Sequence, residues 1–439
     1  MTQLIANFFQ FDDRGTTLRR ELLAGLSTFL TMAYIIFLNP IILSNAGMPL
    51  NAAVAATCLG ALLPTLIMGL WANYPIALAS GMGINAAVVM HANQPGMDWQ
   101  TMMGVIVIEG MVVTCLVLSG FREKVVNAIP TTLKHAISAG IGLFIALLGF
   151  DLMGLIEQGS NGALLTHGSY HQREILLGLV GLFLVLGLQT RKVPGAILYG
   201  IIATAMLAGM TDFIESGEDR MLKMPESFFA WPDFTTLAQA NLVAALKPSM
   251  WGVIFAFLMT DFFDTVGTII GVGKAGNFLD QKGRLPGLKR VLLVDSGAAI
   301  WGGFLGCSSV TTYIESASGV TAGGRTGLVS VVVAVLFGIA LFAAPLVTLT
   351  PAIATAPALV GVGLLMLAGL KEIEFTRIDD YAPALLCLLL IPLTQSISFG
   401  IGAGVIAFVL IKAASGKGNE ISPWMIGIAL LFLMTFWNE

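Results

Sequence analysis

The chain has 439 residues, of which 56% are hydrophobic and only 11% charged, with a formal net charge of -4. A soluble globular domain carries about 25% charged residues, and a water-soluble fold of this size could not hide so much apolar surface. Composition therefore excludes an array of soluble domains and leaves a polytopic membrane protein.

Apolar runs fall near 22–43, 51–71, 74–92, 100–120, 130–156, 172–190 and 194–212. A polar stretch from Thr211 to Pro248 follows, holding Glu215, Glu218, Asp219, Arg220 and Glu226. Runs resume near 249–272, 290–306, 308–325, 326–347, 351–373, 380–396 and 398–413, and a last one covers 421–437. A spanning helix needs about 20 mostly apolar residues. The pattern predicts an all-α polytopic protein with fourteen spans, seven in each half. The run at 421–437 is either a membrane-surface helix or a short fifteenth span. Arg19 and Arg20 precede the first run, which lacks a small-residue cleavage site. They read as a cytoplasmic anchor and not as part of a signal peptide. With the N-terminus inside, all but four (Arg173, Arg220, Lys223 and Lys247) of the 22 Lys and Arg residues fall on the cytoplasmic side. These include Arg122, Lys124, Lys282 and Arg284 in loops, and this bias is the positive-inside rule.

The halves echo one another. Pro130 precedes Gly140-Ile-Gly-Leu143 by ten residues, and Pro351 precedes Gly361-Val-Gly-Leu364 by the same distance. Ala79-Ser80-Gly81 opens span three, and Ala317-Ser318-Gly319 lies in span ten. Because seven is odd, two such halves lie in the membrane with opposite orientation, a common transporter plan.

Spans three and ten also break the helix rules. Residues 79–86 (Ala-Ser-Gly-Met-Gly-Ile-Asn-Ala) hold two glycines and Asn85, and Ser316–Gly324 is equally small and flexible. Interrupted spans in corresponding positions are the best sequence pointer to a solute site. Non-helical backbone at that depth must be satisfied by protein or by a watery cavity. Asn85 reads as internal glue. Acidic residues add a second signal. Asp261 and Asp264, three apart in span eight, share one helical face. Asp295 lies in span nine and Glu315 at the break of span ten. Each charge at a helix centre costs roughly 2.5–3.5 kcal/mol on the insertion scale, so these acids face the interior and mark substrate or proton paths. Glu109, alone in span four, is as readily a structural acid.

Other chemistries are not supported. Cys58, Cys115, Cys307 and Cys387 form no Cys-x-x-Cys pair, and His91, His135, His167 and His171 offer no metal-ligand spacing, so no metal is expected. No phosphate-cradling Gly-x-x-x-x-Gly-Lys loop exists. An ion gradient or the solute's own must drive transport, and carboxylates suit a proton before sodium. No other cofactor and no nucleic-acid partner are expected. An intramembrane aspartyl protease needs two aspartates on facing helices, whereas Asp261 and Asp264 share one. The chain is thus not expected to be an enzyme.

Thr28-Phe-Leu-Thr-Met-Ala-Tyr34, Gly81-Met-Gly-Ile-Asn-Ala86, Phe263-Asp-Thr-Val-Gly-Thr268, Ser308-Ser-Val-Thr-Thr-Tyr-Ile-Glu-Ser316 and the Gly319–Gly327 stretch together resemble the nucleobase:cation symporter 2 family, in its AzgA-like purine permease branch. The resemblance covers the full length. It implies fourteen spans in two inverted repeats, with short antiparallel strands where spans three and ten meet. It divides the chain into a cytoplasmic N-terminus (1–21), core parts (22–125 and 249–347), gate parts (126–212 and 348–415), an extracytoplasmic loop (213–248) and a C-terminal apolar segment (416–439). It further implies a homodimer in the bacterial inner membrane, working by an elevator-type movement of core against gate.

By the same resemblance Asp264 and Glu315 hold the base. Tyr313, Ile314 and Ser316 present the strand beside it, Met82 and Gly83 lie opposite, and Thr28 and Thr268 line the pocket. Asp261, Asp264, Asp295 and Glu315 are the proton-coupling candidates. A nucleobase presents a ring N–H beside a C=O, which a carboxylate and a strand N–H can meet. A purine (hypoxanthine or guanine before adenine) is the family default. Ala86 is followed by Ala87-Val88-Val89 where many relatives have an aromatic residue, which keeps uracil open as an alternative. An anion carrier of the same architecture would want a positive charge at the broken spans, and only Arg325 is near.

Overall fold

The computed structural model describes residues 2–94, 96–120, 129–159, 165–168, 172–215, 229–280 and 285–438. Arg122, Lys124, His171, Glu218, Asp219, Arg220, Lys223, Glu226, Lys282 and Arg284, placed in loops above, lie outside the described residues.

Helices of six or more residues are numbered in chain order. The first half runs α1 (Thr2–Phe9), α2 (Leu18–Met32), α3 (Ile35–Ser44), α4 (Leu50–Ile67), β1 (Leu78–Ser80), α5 (Met82–Ala92), α6 (Trp99–Leu118) and α7 (Thr131–Leu152). A small hairpin, β2 (Ile156–Gln158) and β3 (Leu165–His167), precedes α8 (Arg173–Thr190) and α9 (Ala196–Glu215). The second half runs α10 (Trp251–Gly276), α11 (Leu288–Leu305), β4 (Val310–Thr312), α12 (Ser316–Thr321) and α13 (Leu328–Ala340). It ends with α14 (Ala352–Met366), α15 (Ile378–Thr394), α16 (Ile397–Ala414) and α17 (Pro423–Asn438). Side-chain caps begin several of them. Thr17, Asp98 and Ser396 accept from the backbone N–H three residues on, satisfying donors that a helix start leaves free.

Among the described residues, eight helices are long and apolar enough to cross a membrane, and four shorter apolar ones accompany them. The protein is therefore a helical multi-pass membrane protein. Two groups of helices pack on themselves. In one, α11 lies on α6, α13 on α2 and α4, and β1 on α4. In the other, α7 lies on α14 and α15, α8 on α9 and α14, and α15 on α16. Helix α10 touches both groups, meeting α6 and α12 on one side and α7 and α16 on the other. Close backbone approach seals these contacts. A Cβ on Gly142 would stand 2.7 Å from the Gly363 carbonyl oxygen, and one on Gly363 would stand 2.3 Å from that of Gly142. These two glycines hold matching places in the Pro-Gly pattern of the two halves.

Three details differ from the sequence-based expectations. Span one is interrupted, since α2 ends at Met32 and α3 begins at Ile35, with Ala33 and Tyr34 in a turn. The strand of span ten lies at Val310–Thr312, ahead of the small-residue stretch, and Ala317-Ser318-Gly319 is helical. The Ala-Ser-Gly match between spans three and ten therefore joins a strand to a helix and is not an equivalence. Hydrogen bonding explains why: Ser316, Ala317 and Ser318 donate to carbonyls three residues back, closing a helical turn.

The last run packs along its neighbour. Helix α17 lies antiparallel along α16, with Phe436 beside Phe399 at 5.0 Å between ring centroids and Phe432 over Gly402. At the other end of the pair, buried Lys412 meets Asp379 at 2.9 Å, Asp380 at 2.7 Å and Glu420. The Lys412 ammonium holds the Glu420 carboxyl below its ordinary range. Met425, Ile428, Ala429 and Phe432 are buried at helical spacing, while Leu430, Leu433, Met434 and Trp437 on other faces stay exposed and apolar.

Candidate functional site

The two interrupted spans meet at the middle of the fold. β1 and β4 pair antiparallel, with Leu78 opposite Thr312, Ala79 opposite Thr311 and Ser80 opposite Val310. The ladder continues beyond both strands. Gly81 N–H donates to the Ser309 carbonyl at 2.8 Å, and Tyr313 N–H to the Ala77 carbonyl at 2.9 Å. These pairings satisfy backbone that would otherwise be orphaned inside a membrane. The strands' remaining polar groups are met from behind. Thr65 Oγ1 accepts from Leu78 N–H at 2.9 Å, and Ser316 Oγ from Ala77 N–H at 3.0 Å.

One face of α10 supports β4. Asp261 accepts from Ser309 Oγ at 3.3 Å. One turn on, Thr265 donates to Asp295 Oδ2 at 2.7 Å. Asp295, on α11, also accepts from Thr312 N–H and Thr311 Oγ1, both at 3.2 Å. Asp261 and Asp295 are fully buried. Asp261, Asp264 and Thr265, three and four residues apart, share one face of α10.

Asp264 and Glu315 differ from those two. Asp264 lies on the same face of α10, half-buried, beside the end of β1; a Cβ on Gly81 would stand 4.0 Å from its Oδ2. Among the described residues it accepts no hydrogen bond. Glu315, half-buried, sits where β4 turns into α12, and accepts from Tyr34 Oη at 2.6 Å. Tyr313, two residues before Glu315, reaches across to the Ser80 carbonyl, next to Gly81 and the Asp264 carboxyl. Two acids of the second half thus border a strand pair that joins the two halves, flanked by the start of α5. The first N–H groups of a helix have no intrahelical partner and favour an acceptor.

The other site candidates take distinct places. Met82 and Gly83 form the first turn of α5 and are buried, and a Cβ on Gly83 would meet Ile141 of α7 at 2.8 Å. Tyr313 crosses the strand pair and donates to the Ser80 carbonyl. Ile314 is exposed and packs on Gly271 of α10. Thr268 is buried on the Asp264 face, three residues beyond Thr265. Thr28 is fully buried against Gly319, its hydroxyl without a hydrogen bond among the described residues. Ser316 caps the entry to β1. Asn85 serves as internal glue, donating to Asn39 Oδ1 at 2.6 Å and accepting from Ser80 Oγ at 2.9 Å. Asn39 in turn donates to Thr57 at 2.9 Å and to the Cys307 carbonyl at 3.2 Å.

Sequence reasoning missed Tyr34, Thr65 and Asn39. Tyr34 closes a motif that carries the family resemblance, and a phenol inside an apolar span was the available signal. Arg325 does not approach the acids. Its guanidinium is spent on the carbonyls of Val320 and Gly324, both at 2.7 Å, and its N–H on buried Glu21 at 2.8 Å.

A family model described as the permease family (Xan_ur_permease) matches residues 19–403. The guanine/hypoxanthine permease PbuO of Bacillus subtilis is 38% identical, over 97% of this chain and 99% of its own. The adenine permease AdeP of Escherichia coli is 37% identical, over 98% of this chain and 95% of its own. Among solved structures, SLC26A9 superposes with a TM-score of 0.65 at 13% identity, covering 92% of this chain and 66% of that one. The transmembrane domain of the cyanobacterial bicarbonate transporter BicA gives 0.62 at 15% identity, covering 89% and 97%. At such identities the likeness is one of fold alone. The resemblance carried by the sequence motifs extends along the whole chain, which belongs to this permease family.

Proposed function

We propose that the protein imports purine nucleobases across the plasma membrane. The observation that carries this reading is the placement of Asp264, on α10, and Glu315, at the β4–α12 turn, beside strands paired from the two halves of the chain. Relatives named as guanine/hypoxanthine and adenine permeases, 37–38% identical over nearly the whole chain, support the purine class over uracil. The chemistry fits. Ring and exocyclic N–H groups donate to the carboxylates, and backbone N–H at the start of α5 donates to a ring acceptor or C=O. Met82, soft and apolar, suits the ring face. Such a protein moves its solute unchanged and is not an enzyme.

The helices divide into a core (22–125 and 249–347) and a gate (126–212 and 348–415), in two inverted repeats. The mutual contact of Gly142 and Gly363 supports this division, because equivalent residues meet where a pseudo-two-fold axis passes. The core slides against the gate with the base held at the strands, and a proton travels with it, by a protonation change at Asp264 or Glu315. Asp261 and Asp295, already engaged with β4, keep the strand in place during the step. The N-terminus is cytoplasmic, and two copies form a dimer.

The anion-carrier reading lacks its positive charge, since Arg325 is committed to the end of α12.

Purified protein should gain thermal stability with hypoxanthine, guanine or adenine and not with sulfate or bicarbonate, because a ligand of the folded form raises its melting temperature by mass action. Stabilisation by the anions alone would end the purine reading.

Helix α17 crosses the membrane as a further segment, with its 16 residues spanning about 24 Å. The C-terminus then lies opposite the N-terminus. A single cysteine placed at Asn438 in a cysteine-free background should react with an impermeant maleimide from outside intact cells. A cysteine at Thr2 should not. Equal protection of both positions would return α17 to the cytoplasmic side.

A further inference from the structure

We infer that Tyr34 is a positioning residue of the transport site, fixing the orientation of the Glu315 carboxylate and taking up one of its acceptor sites, while Asp264 keeps all of its own. This rests on the purine-site reading above. Buried Tyr34, in a turn whose backbone stays in the right-handed helical region, donates to Glu315 Oε1 at 2.6 Å.

The rest of α2 is built to hold that arrangement. Thr31, one turn before Tyr34, has its hydroxyl 2.8 Å from that of Ser318 and 3.5 Å from the Glu315 carbonyl oxygen. One turn further back, Thr28 and Ala24 press on Gly319, where a Cβ would stand 2.1 Å from the Thr28 hydroxyl and 2.5 Å from the Ala24 carbonyl oxygen. Residues 24, 28, 31 and 34 follow helical spacing, so one stripe of span one clasps the short helix whose first residues follow Glu315. α12 has only six residues and little rigidity of its own.

The consequence is a chemical difference between the two acids. An ionised carboxylate can accept two parallel N–H donors. With one site of Oε1 taken by the phenol, Glu315 presents its remaining acceptor sites in one fixed orientation. Asp264, free of protein donors among the described residues, matches an edge with one or two. The base is thereby oriented by an unequal pair.

The test uses the full-length purified protein and titrates hypoxanthine and guanine calorimetrically. Tyr34→Phe removes one oxygen and keeps the ring. It should leave the unliganded melting temperature unchanged and weaken both bases at least about tenfold, the scale of one charge-assisted hydrogen bond. Glu315→Asp draws the carboxylate back by one methylene, out of reach of Tyr34, and in that background Tyr34→Phe should have no further effect. Such non-additivity is the mark of a residue acting through another. If Tyr34→Phe melts early, Thr31→Val loosens the same clasp and carries the same expectation. Unchanged affinity in Tyr34→Phe, or equal losses in both backgrounds, overturns the role of Tyr34 alone. Wild-type protein that binds no base overturns the transport reading, and this one with it.

Discussion

Replacing Asp264 by Asn abolishes base uptake while the protein still inserts, folds and purifies like wild type. The surroundings of the Asp264 carboxylate decide this. No described side chain or backbone group donates to it, yet it is half-buried beside Gly81 and shares its surroundings with Glu315. Such a group costs desolvation and returns nothing to the fold, so neutralising it does not lower stability. An Asn amide would turn a donor toward the base's own N–H groups and lose a charge-assisted hydrogen bond, about 1.5–3 kcal/mol, or a factor of 10 to 150 in affinity. Radiolabelled hypoxanthine uptake in cells, paired with a melting curve of the purified variant, checks both halves. Wild-type uptake in the variant would remove Asp264 from the site. A variant that melts well below wild type would make it a structural acid.

Asp295→Ala has the opposite profile: it fails in the fold before it fails in transport. Asp295 is fully buried and accepts from Thr265, Thr311 and the Thr312 backbone, tying α10, α11 and β4 together. Removing it strands the Thr312 N–H and leaves the Thr265 and Thr311 hydroxyls only each other, 3.0 Å apart, at membrane depth, for a loss of about 3–5 kcal/mol. The variant should express poorly or melt far below wild type. Asp295→Asn keeps one acceptor oxygen and should fall between. Normal melting of Asp295→Ala with uptake uncoupled from the proton gradient would instead place Asp295 on a proton path.

The contrast between these acids was only half legible in the sequence. All four carboxyls in spans eight to ten were visible as expensive intramembrane charges, and the spacing of Asp261 and Asp264 gave their common face. Which of them is spent on holding β4 was not visible, because the donors to Asp295 come from residues 30 positions earlier and 16 later in the chain. Tyr34 was overlooked for the same reason. Its partner Glu315 lies 281 residues away, and nothing local marks a helix that breaks at Ala33. The Ala-Ser-Gly match misled because small residues recur in any closely packed membrane helix, whereas the Pro-Gly match marked glycines that touch.

Hydrophobicity and charge, read along the chain, determined that this is a multi-pass membrane protein with interrupted third and tenth spans and acids buried near them. Those properties are local, since the cost of placing a residue in lipid depends mainly on that residue and its immediate neighbours. The tertiary structure alone decided the strand register, the break in span one, the packing of the last helix along its neighbour, and the division of the acids into engaged and free. Each of these depends on a partner from a distant part of the chain, and a hydrogen bond or a glycine contact is set by where that partner stands, which no local pattern encodes.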